Sequence, residues 1–593
     1  MSSSNTFSEI SKALQAESIN TLPVIRLAIL RNIMLEPLLT YLRYELLNMG
    51  FNAQITLGNY DTVFQEAVAG SPAVYDRETG VILVFLHLEG LSWDLARNFN
   101  ALSAQAIQSE MDRLIAHCRG IIQGLRAKTS AMILWHGFLP PSYPAHGLYD
   151  SQHDAGQSHT IHRLNHAVRS VVCAEANAFH IDMGLCLARI GERNFFDHRY
   201  WHMGRAPYTL AACEEIAREE GKYVRARYGK NKKCLVLDCD NTLWGGIVGE
   251  DGPAGIKLGS SAPGSAYMEL QQQILELYHR GIILALCSKN NEADVWEVIQ
   301  NHPGSLIKRQ HIAAWRINWQ DKPTNIRELA LELNIGLESM LFVDDSEFEV
   351  NLVRQELPEV GVMHLQNIYR ARQQLASCGL FDTLTISQED RARGSMMTAE
   401  AARKQLMNTG TDLVAYYKSL EMKLILFFPE DDASIQRAAQ LTQKTNQFNL
   451  TTRRYSDADI SRFLNNADSE VICIQLADKF GDFGIIGLCV LRLENDQAII
   501  DTFLLSCRAL GRGVENVLLI EALALAKRRG ATRAIGEYYA TRKNGQTEKF
   551  YANNGFSSLS ADGSAADLRF LCPLHQELPN APDYFAAITS NLE

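Results

Sequence analysis

The segment LVLDCDNTLWGG sets two carboxylates, Asp238 and Asp240, two residues apart at the end of the apolar run CLVLD (234–238). Three further polar stations follow in order. Ser288 closes IILALCS (282–288) and precedes Lys289 and Asn290, Lys322 lies in NWQDKPTNI, and Asp344 and Asp345 close MLFVDD (340–345). A lone Asp-x-Asp is common in surface turns. Four stations distributed over three strand ends and a following loop exceed what turn chemistry produces. Ligands of open α/β sheets sit just beyond the carboxyl ends of the strands, so the pattern predicts one shared crevice.

Those residue types suit phosphoryl transfer. A carboxylate can attack phosphorus and form an aspartyl-phosphate, which divides one difficult displacement into two. A second carboxyl can protonate the leaving oxygen and then activate water. The crowded negative charge calls for a hard cation, and Mg²⁺ held by one or two carboxylates and phosphate oxygens fits. A hydroxyl and a lysine neutralise the non-bridging oxygens.

A second constellation lies near the C-terminus. The apolar run IIDTFLLS leads into Cys507, Arg508, Gly511, Arg512 and Gly513, and then into the helical pattern VENVLLIEALALAKRRG. Backbone N–H groups of such a strand-to-helix turn can close on a pyrophosphate. Three cysteines compete as acyl carriers. Cys507 stands at the strand end beside Arg508 and Arg512, whose charge would favour a thiolate. Cys239 and Cys287 sit at the ends of apolar runs and are expected in the core.

The elements that position these residues fall into three blocks. Through residues 1–228 the runs IRLAIL (25–30), QITLG (54–58), VILVFL (81–86), AMILWH (131–136) and AFHIDM (178–183) alternate with amphipathic stretches, which predicts a parallel sheet. The polar run Arg225–Lys233 marks a boundary. Residues 229–372 form a second α/β block, 373–420 a polar helical connector, and 421–593 an α+β block in which KLIL, EVICIQL, IIGLCVLRL and AIIDTFLLS crowd together. The fold class is therefore α/β and multidomain. The net charge of −11 disfavours nucleic-acid binding. No apolar run has the length of a membrane span, the N-terminus lacks a signal-peptide pattern, and twelve cysteines form no Cys-x-x-Cys pair. A cytoplasmic protein is expected, without nucleic-acid or membrane partners.

Asp238-Cys-Asp240-Asn-Thr242, followed by Ser288, Lys322 and Asp344-Asp345, resembles the haloacid dehalogenase superfamily of phosphotransferases. The resemblance implies a Rossmann-like parallel sheet. It makes Asp238 the nucleophile and a metal ligand, and Asp240 the acid/base, which also binds metal through its carbonyl. Ser288 and Lys322 become phosphate-binding residues and Thr242 a support of that loop. Asp344 is a metal ligand and Asp345 a less certain one. The longer string DCDNTLWGGIVGEDG resembles the FkbH-like branch, over roughly residues 230–560. That branch implies removal of phosphate from 1,3-bisphosphoglycerate and loading of glyceryl onto the phosphopantetheine thiol of an acyl carrier protein, with Mg²⁺ as cofactor, for polyketide-type biosynthesis. The turn Arg508-x-x-Gly511-Arg512-Gly513, with the later KFYANNGF, resembles the coenzyme A loop of GNAT acyltransferases and implies a pantetheine-binding site. The alternative is a phosphatase acting on another small phosphate ester, coupled to acyl-coenzyme A-dependent N- or O-acyl transfer.

The first block resembles an SGNH-hydrolase-like α/β domain. Such a hydrolase needs a serine after its first strand, where this sequence has Leu30-Arg31-Asn32-Ile33. Asp197, His198 and His202 occur late but depart from the family's Asp-x-x-His spacing. A triad without its nucleophile cannot run acyl-enzyme chemistry, so a non-catalytic domain is expected. His162 and His166 are i, i+4 neighbours with no carboxylate to complete a metal site and are expected on the surface.

Overall fold

The computed structural model describes residues 7–386, 390–391, 413–479, 481–506, 509–541, 543–559, 567–575 and 578–592. The chain divides into two compact units, Met1–Arg225 and Ala226–Glu593.

In the first unit each of the five apolar runs becomes a strand: β1 Val24–Arg31, β2 Asn52–Tyr60, β3 Thr79–Phe85, β4 Met132–His136 and β5 Ala178–Ile181. They form one parallel sheet in the order β2-β1-β3-β4-β5. β4 is buried along its whole length and β3 along nearly all of it, because helices cover both faces of such a sheet, and this is why these strands read as unbroken apolar runs. The helix Ala104–Lys128 shows the matching pattern. Met111, Leu114, Cys118, Ile121, Ile122 and Leu125 fall on one stripe and are buried, and the Ser103 hydroxyl caps its start by accepting from the Ala106 N–H at 3.2 Å.

The second unit opens with another parallel sheet: β6 Cys234–Leu237, β7 Ile283–Ser288, β8 Ile312–Ile317, β9 Met340–Asp344 and β10 Gly361–His364, in the order β10-β9-β6-β7-β8. β8 and β10 were not among the expected strands. IAAWRI carries Trp315 and Arg316 in its middle, and GVMH is too short to stand out as an apolar run. The domain also runs past 372. The helix Ile368–Ser377 buries Ala371 and Leu375 in this core together with Phe381, so residues 373–377, expected in the connector, belong to the central domain. Residues 392–412 of that connector lie outside the described residues.

Among the described residues the third sheet has eight strands: β11 Lys423–Phe427, β12 Ser469–Asp478, β13 Gly481–Glu494, β14 Gln497–Leu505, β15 Arg533–Tyr539, β16 Ser557–Ser558, β17 Asp567–Pro573 and β18 Ala587–Asn591. β11 to β14 pair antiparallel in succession. The helix Val514–Arg528 then carries the chain over to β15, parallel to β14. That pairing runs only from Gln497↔Arg533 to Ile500↔Gly536. Beyond it the chain's own segment Phe448–Leu450 occupies the gap. Leu450 N–H donates to Phe503 O (3.0 Å), Leu505 N–H to Phe448 O (3.0 Å), and Tyr539 N–H to Leu450 O (2.8 Å). No helix among the described residues is long and apolar enough to cross a membrane.

Candidate functional site

The carboxyl ends of β6, β7 and β9 bring the first constellation together. Asp238 follows β6, Ser288 ends β7 and Asp344 ends β9. Lys322 begins the helix Lys322–Leu333, whose start is capped by Asp321, and so points its amine back at the strand ends. Its Nζ lies 2.7 Å from Asp238 Oδ1 and 2.5 Å from Asp344 Oδ2. These three side chains are nearly inaccessible, at 6%, 0% and 3% exposure for Asp238, Asp344 and Lys322. Burial disfavours the lysine's charge, but the two carboxylates overcome it and hold its pKa above the ordinary value.

One carboxylate oxygen from each of Asp238, Asp344 and Asp345 falls within 4.8 Å of the others. Three hard oxygen donors converging on one point suit a divalent cation such as Mg²⁺. Burial, then the charges of Asp238 and Asp344, push Asp345 up to about 6, as expected of clustered carboxylates sharing too little positive charge. Asp345, the less certain ligand of the sequence reading, is thus in the cluster.

The carboxylate of Asp240 stays outside it. Oδ1 accepts from Trp244 Nε1 (2.9 Å) and the Val248 N–H (3.1 Å), and Oδ2 accepts from Asn290 Nδ2 (3.0 Å). Burial, with a smaller contribution from Asp238, raises its pKa despite those three bonds, which suits a group that must hold and release a proton. Asn290 also donates to Ser288 Oγ (3.1 Å), so one amide orients both Asp240 and Ser288. The sequence reading noted Asn290 only as a neighbour of Ser288, and nothing in its spacing pointed to Asp240. Thr242 is fully buried and its hydroxyl donates to Asp345 Oδ1 at 3.4 Å. It braces the acidic cluster and offers no surface to a substrate. Asn241 takes a left-handed backbone (φ 53°) and its Oδ1 accepts from Gly246 N–H at 2.9 Å, closing the loop that carries Trp244.

Cys239 and Cys287 lie inside the protein with no exposed surface. Burial raises both thiols above their ordinary value, so neither is a ready thiolate. Cys507 and Arg508 lie outside the described residues. Gly511 (φ 74°) and Gly513 (φ 76°) are left-handed, and a Cβ on Gly513 would lie 2.1 Å from Tyr584 Oη. The hydroxyls of Tyr417 and Tyr584 donate to Gly511 O and Arg512 O. Backbone conformation requires glycine-like freedom at both positions, and the packing of Tyr584 leaves no room for a side chain at Gly513. The Arg512 side chain, expected at a pantetheine, is buried 3.6 Å from Asp478 and 4.9 Å from the Phe483 ring. It packs against the strand ends.

In the first unit, Asn32 occupies the place after β1. Its amide donates to His87 O (3.1 Å) and accepts from the His87 N–H (2.6 Å), joining the loops that follow β1 and β3. Asp197 caps its own helix through the Tyr200 N–H (2.9 Å), and His198 and His202 are exposed. His162 and His166 are exposed on the helix Gln157–Cys173.

No protein-family model matches this chain, and no curated protein matches it. Among solved structures it is similar to the N-terminal part of the protein BF1531 from Bacteroides fragilis, which contains a phosphatase domain and was crystallised in complex with Mg. Identity is 28%, the TM-score is 0.58, and the match covers 64% of this chain and all of that one. Weaker likenesses are to the PaiA N-acetyltransferase of Thermoplasma acidophilum in complex with coenzyme A (24% identity, 19% of this chain and 66% of that one, TM-score 0.16) and to the ribosomal-protein-S18-alanine N-acetyltransferase of Escherichia coli (13% identity, 26% and 97%, TM-score 0.21). With Asp238, Asp240, Ser288, Lys322 and Asp344 gathered at the carboxyl ends of a parallel sheet, the central domain of this chain is of the haloacid dehalogenase type.

Proposed function

We propose that this chain is a Mg²⁺-dependent, FkbH-like phosphatase and glyceryl transferase of the cytoplasm. It removes phosphate from 1,3-bisphosphoglycerate and loads glyceryl onto the phosphopantetheine thiol of an acyl carrier protein. One observation carries the reading: Asp238, Asp344 and Asp345 converge around Lys322 in one buried crevice, with Asp240 and Ser288 held beside it by Asn290.

The residues divide the work. Asp238 attacks the phosphorus of the 3-phosphate ester, a P–O bond forms to its carboxylate, and the bond to the leaving oxygen breaks; the acyl phosphate is kept for the carrier thiol, whose attack on the carbonyl carbon forms the thioester and expels the other phosphate with the thiol's proton. Asp240 gives the ester's leaving oxygen its proton, then takes a proton from the water that hydrolyses the aspartyl-phosphate, which frees inorganic phosphate and restores both carboxyl groups. Lys322 and Ser288 steady the non-bridging oxygens. Asp238, Asp344 and Asp345 would hold Mg²⁺, which would supply the positive charge that lets an anion approach so many carboxylates.

The third domain is read as a GNAT-like acyltransferase domain that receives the carrier arm, and the first as an SGNH-like docking domain without catalysis. The second reading is a phosphatase on another small phosphate ester coupled to acyl-coenzyme A-dependent N- or O-acyl transfer.

The test is intact-mass analysis of a phosphopantetheinylated carrier protein incubated with the full chain, Mg²⁺ and 1,3-bisphosphoglycerate. A glyceryl adduct on the carrier is expected. Phosphate release with the carrier unmodified would exclude the transferase half and leave the second reading.

A further inference from the structure

The proposed chemistry leaves one side chain at the phosphatase crevice without a task. Tyr267 lies in the first turn of the helix Gly264–His279 and is 7% exposed. Among the described residues its hydroxyl has no protein hydrogen-bond partner, and that oxygen is not sealed from solvent. The phenol of a buried tyrosine usually finds a partner, so an open, unpaired one points to a ligand.

The loop after β6 fixes where that phenol stands. Gly245 and Lys257 exchange two backbone hydrogen bonds (3.1 and 2.7 Å), and a Cβ on Gly245 would lie 2.8 Å from Tyr267 Cε2 and 3.2 Å from Cζ. The ring therefore stands directly on Gly245. In the same loop Trp244 donates to Asp240 (2.9 Å) and Thr242 to Asp345 (3.4 Å), so Tyr267 is tied to the acid/base candidate and to the acidic cluster at once. Tyr267, Trp244 and Val248 share one core, and the Val248 N–H holds the same Asp240 oxygen (3.1 Å). Leu235 and Leu237 of β6 face that core, while Cys234 and Val236 face the core of the Lys322 helix. Tyr267 and Lys322 thus flank the strand ends from opposite faces of the sheet.

Asp240 must meet the leaving oxygen to give it a proton, so the leaving group lies on the Tyr267 side. Its chemistry is limited there. A phenol is a neutral donor and acceptor, and burial, then the charges of Asp345 and Tyr369, raise its pKa further. Asp240 and Asp345 on either side disfavour a second anion. An alcohol hydroxyl meets both conditions, since it pairs with a phenol and brings no charge.

We infer that Tyr267 determines the specificity of this crevice: its hydroxyl bonds to an alcohol hydroxyl of the leaving group, so the substrates are phosphate esters of hydroxylated compounds. That role rests on the proposed function and deepens it, since a 3-phosphoglyceryl group carries a hydroxyl on the carbon next to its phosphate ester. Tyr267 positions the substrate, and the bond changes remain with Asp238 and Asp240.

The test compares phosphate release by the full chain, with Mg²⁺, from 3-phosphoglycerate and from 3-(phosphonooxy)propanoate, which lacks only the alcohol hydroxyl. The parent should favour the hydroxylated ester by about tenfold or more in kcat/KM, because the other ester leaves the phenol unpaired. Tyr267→Phe removes the hydroxyl and keeps the ring on Gly245, so the ratio of the two kcat/KM values should fall to about one. A purely structural role would slow both esters together and leave the ratio as it was. That result, a parent without preference, or a parent that turns over p-nitrophenyl phosphate but neither ester, would each overturn the inference. Carrier loading, assayed separately on the same protein, reports on the proposed function. A chain that loads the carrier without discriminating the two esters keeps that reading and loses this one. Discrimination that depends on Tyr267, with the carrier left unmodified, keeps this one and loses glyceryl transfer.

Discussion

The first and central sheets are both five-stranded and parallel, and both set polar residues just after the carboxyl ends of their strands. In the first sheet two of these places, after β1 and at the end of β4, hold polar groups with no lysine or arginine between them. Asn32 is locked to the backbone of His87. His136 stacks on Phe85 at 3.5 Å, directs Nδ1 to Val84 O (3.1 Å) and meets the buried Glu220 carboxyl at 2.9 Å through Nε2. Burial lowers His136 to about 3 and raises Glu220 well above the ordinary carboxylate range. In the central sheet Lys322 Nζ lies between Asp238 and Asp344, 2.7 and 2.5 Å from their carboxylate oxygens. The same place in two similar sheets thus holds a polar joint in one and a cluster of carboxylates around a lysine in the other. A buried group without an opposite charge gives up its own; a paired one keeps it and stays available for chemistry.

The contrast can be broken most severely at Asp238. Asp238→Asn keeps the shape and removes the nucleophile, so phosphate release should fall by about 10⁴-fold or more, with a circular dichroism spectrum like the parent's. Substantial turnover in this variant would remove Asp238 from its role. Chelation should also abolish release, and Mg²⁺ should restore it. Activity that survives exhaustive chelation would mean that the acidic cluster of the central sheet does not work through a cation.

Lys322→Met leaves the carboxylates buried without their cation. A loss of about 3 kcal/mol in unfolding free energy is expected, and Mg²⁺ should raise the melting temperature of the variant more than that of the parent. An equal Mg²⁺ response in the two proteins would contradict the view that lysine and metal answer the same charges.

In the first unit the sharpest test is a pH profile. Burial lowers His87 from 6.5 to about 4. The folded state therefore refuses a proton that the unfolded chain accepts, and stability present above pH 6.5 is lost as pH falls toward 4. His87→Gln should flatten that part of the profile, measured as urea midpoints from pH 7 to 4. A profile parallel to the parent's would show that His87 is not an acid-sensitive joint. The smallest effects are expected at Asn32. Asn32→Ala should cost about 1–2 kcal/mol by leaving the His87 backbone unsatisfied. Asn32→Ser restores a serine after β1 but should yield no esterase activity, since His198 and His202 are exposed and Asp197 is spent on its helix cap. Serine-dependent hydrolysis of a model ester by that variant would reopen the question of catalysis in this domain.

Much of this arrangement could be read from the chain because its determinants are local. An apolar run such as VILVF or CLVL commits a buried strand, and a polar residue directly after it is carried to the strand's carboxyl end whatever the rest of the chain does. Asp238, Ser288 and Asp344 were legible for that reason. Residues whose role depends on what arrives from elsewhere were not. β10 exists because β9 offers it an edge. Asn290 orients Asp240 across fifty residues of sequence, and Arg512 faces inward because Asp478 and Phe483 are there to receive it. The segment Phe448–Leu450 carries no strand periodicity of its own, yet it completes the sheet where β14 and β15 part. Sequence periodicity determines which face of an element is apolar, whereas the register between distant elements is decided by packing and by the need to satisfy every buried donor and acceptor, and these are properties of the assembled fold alone.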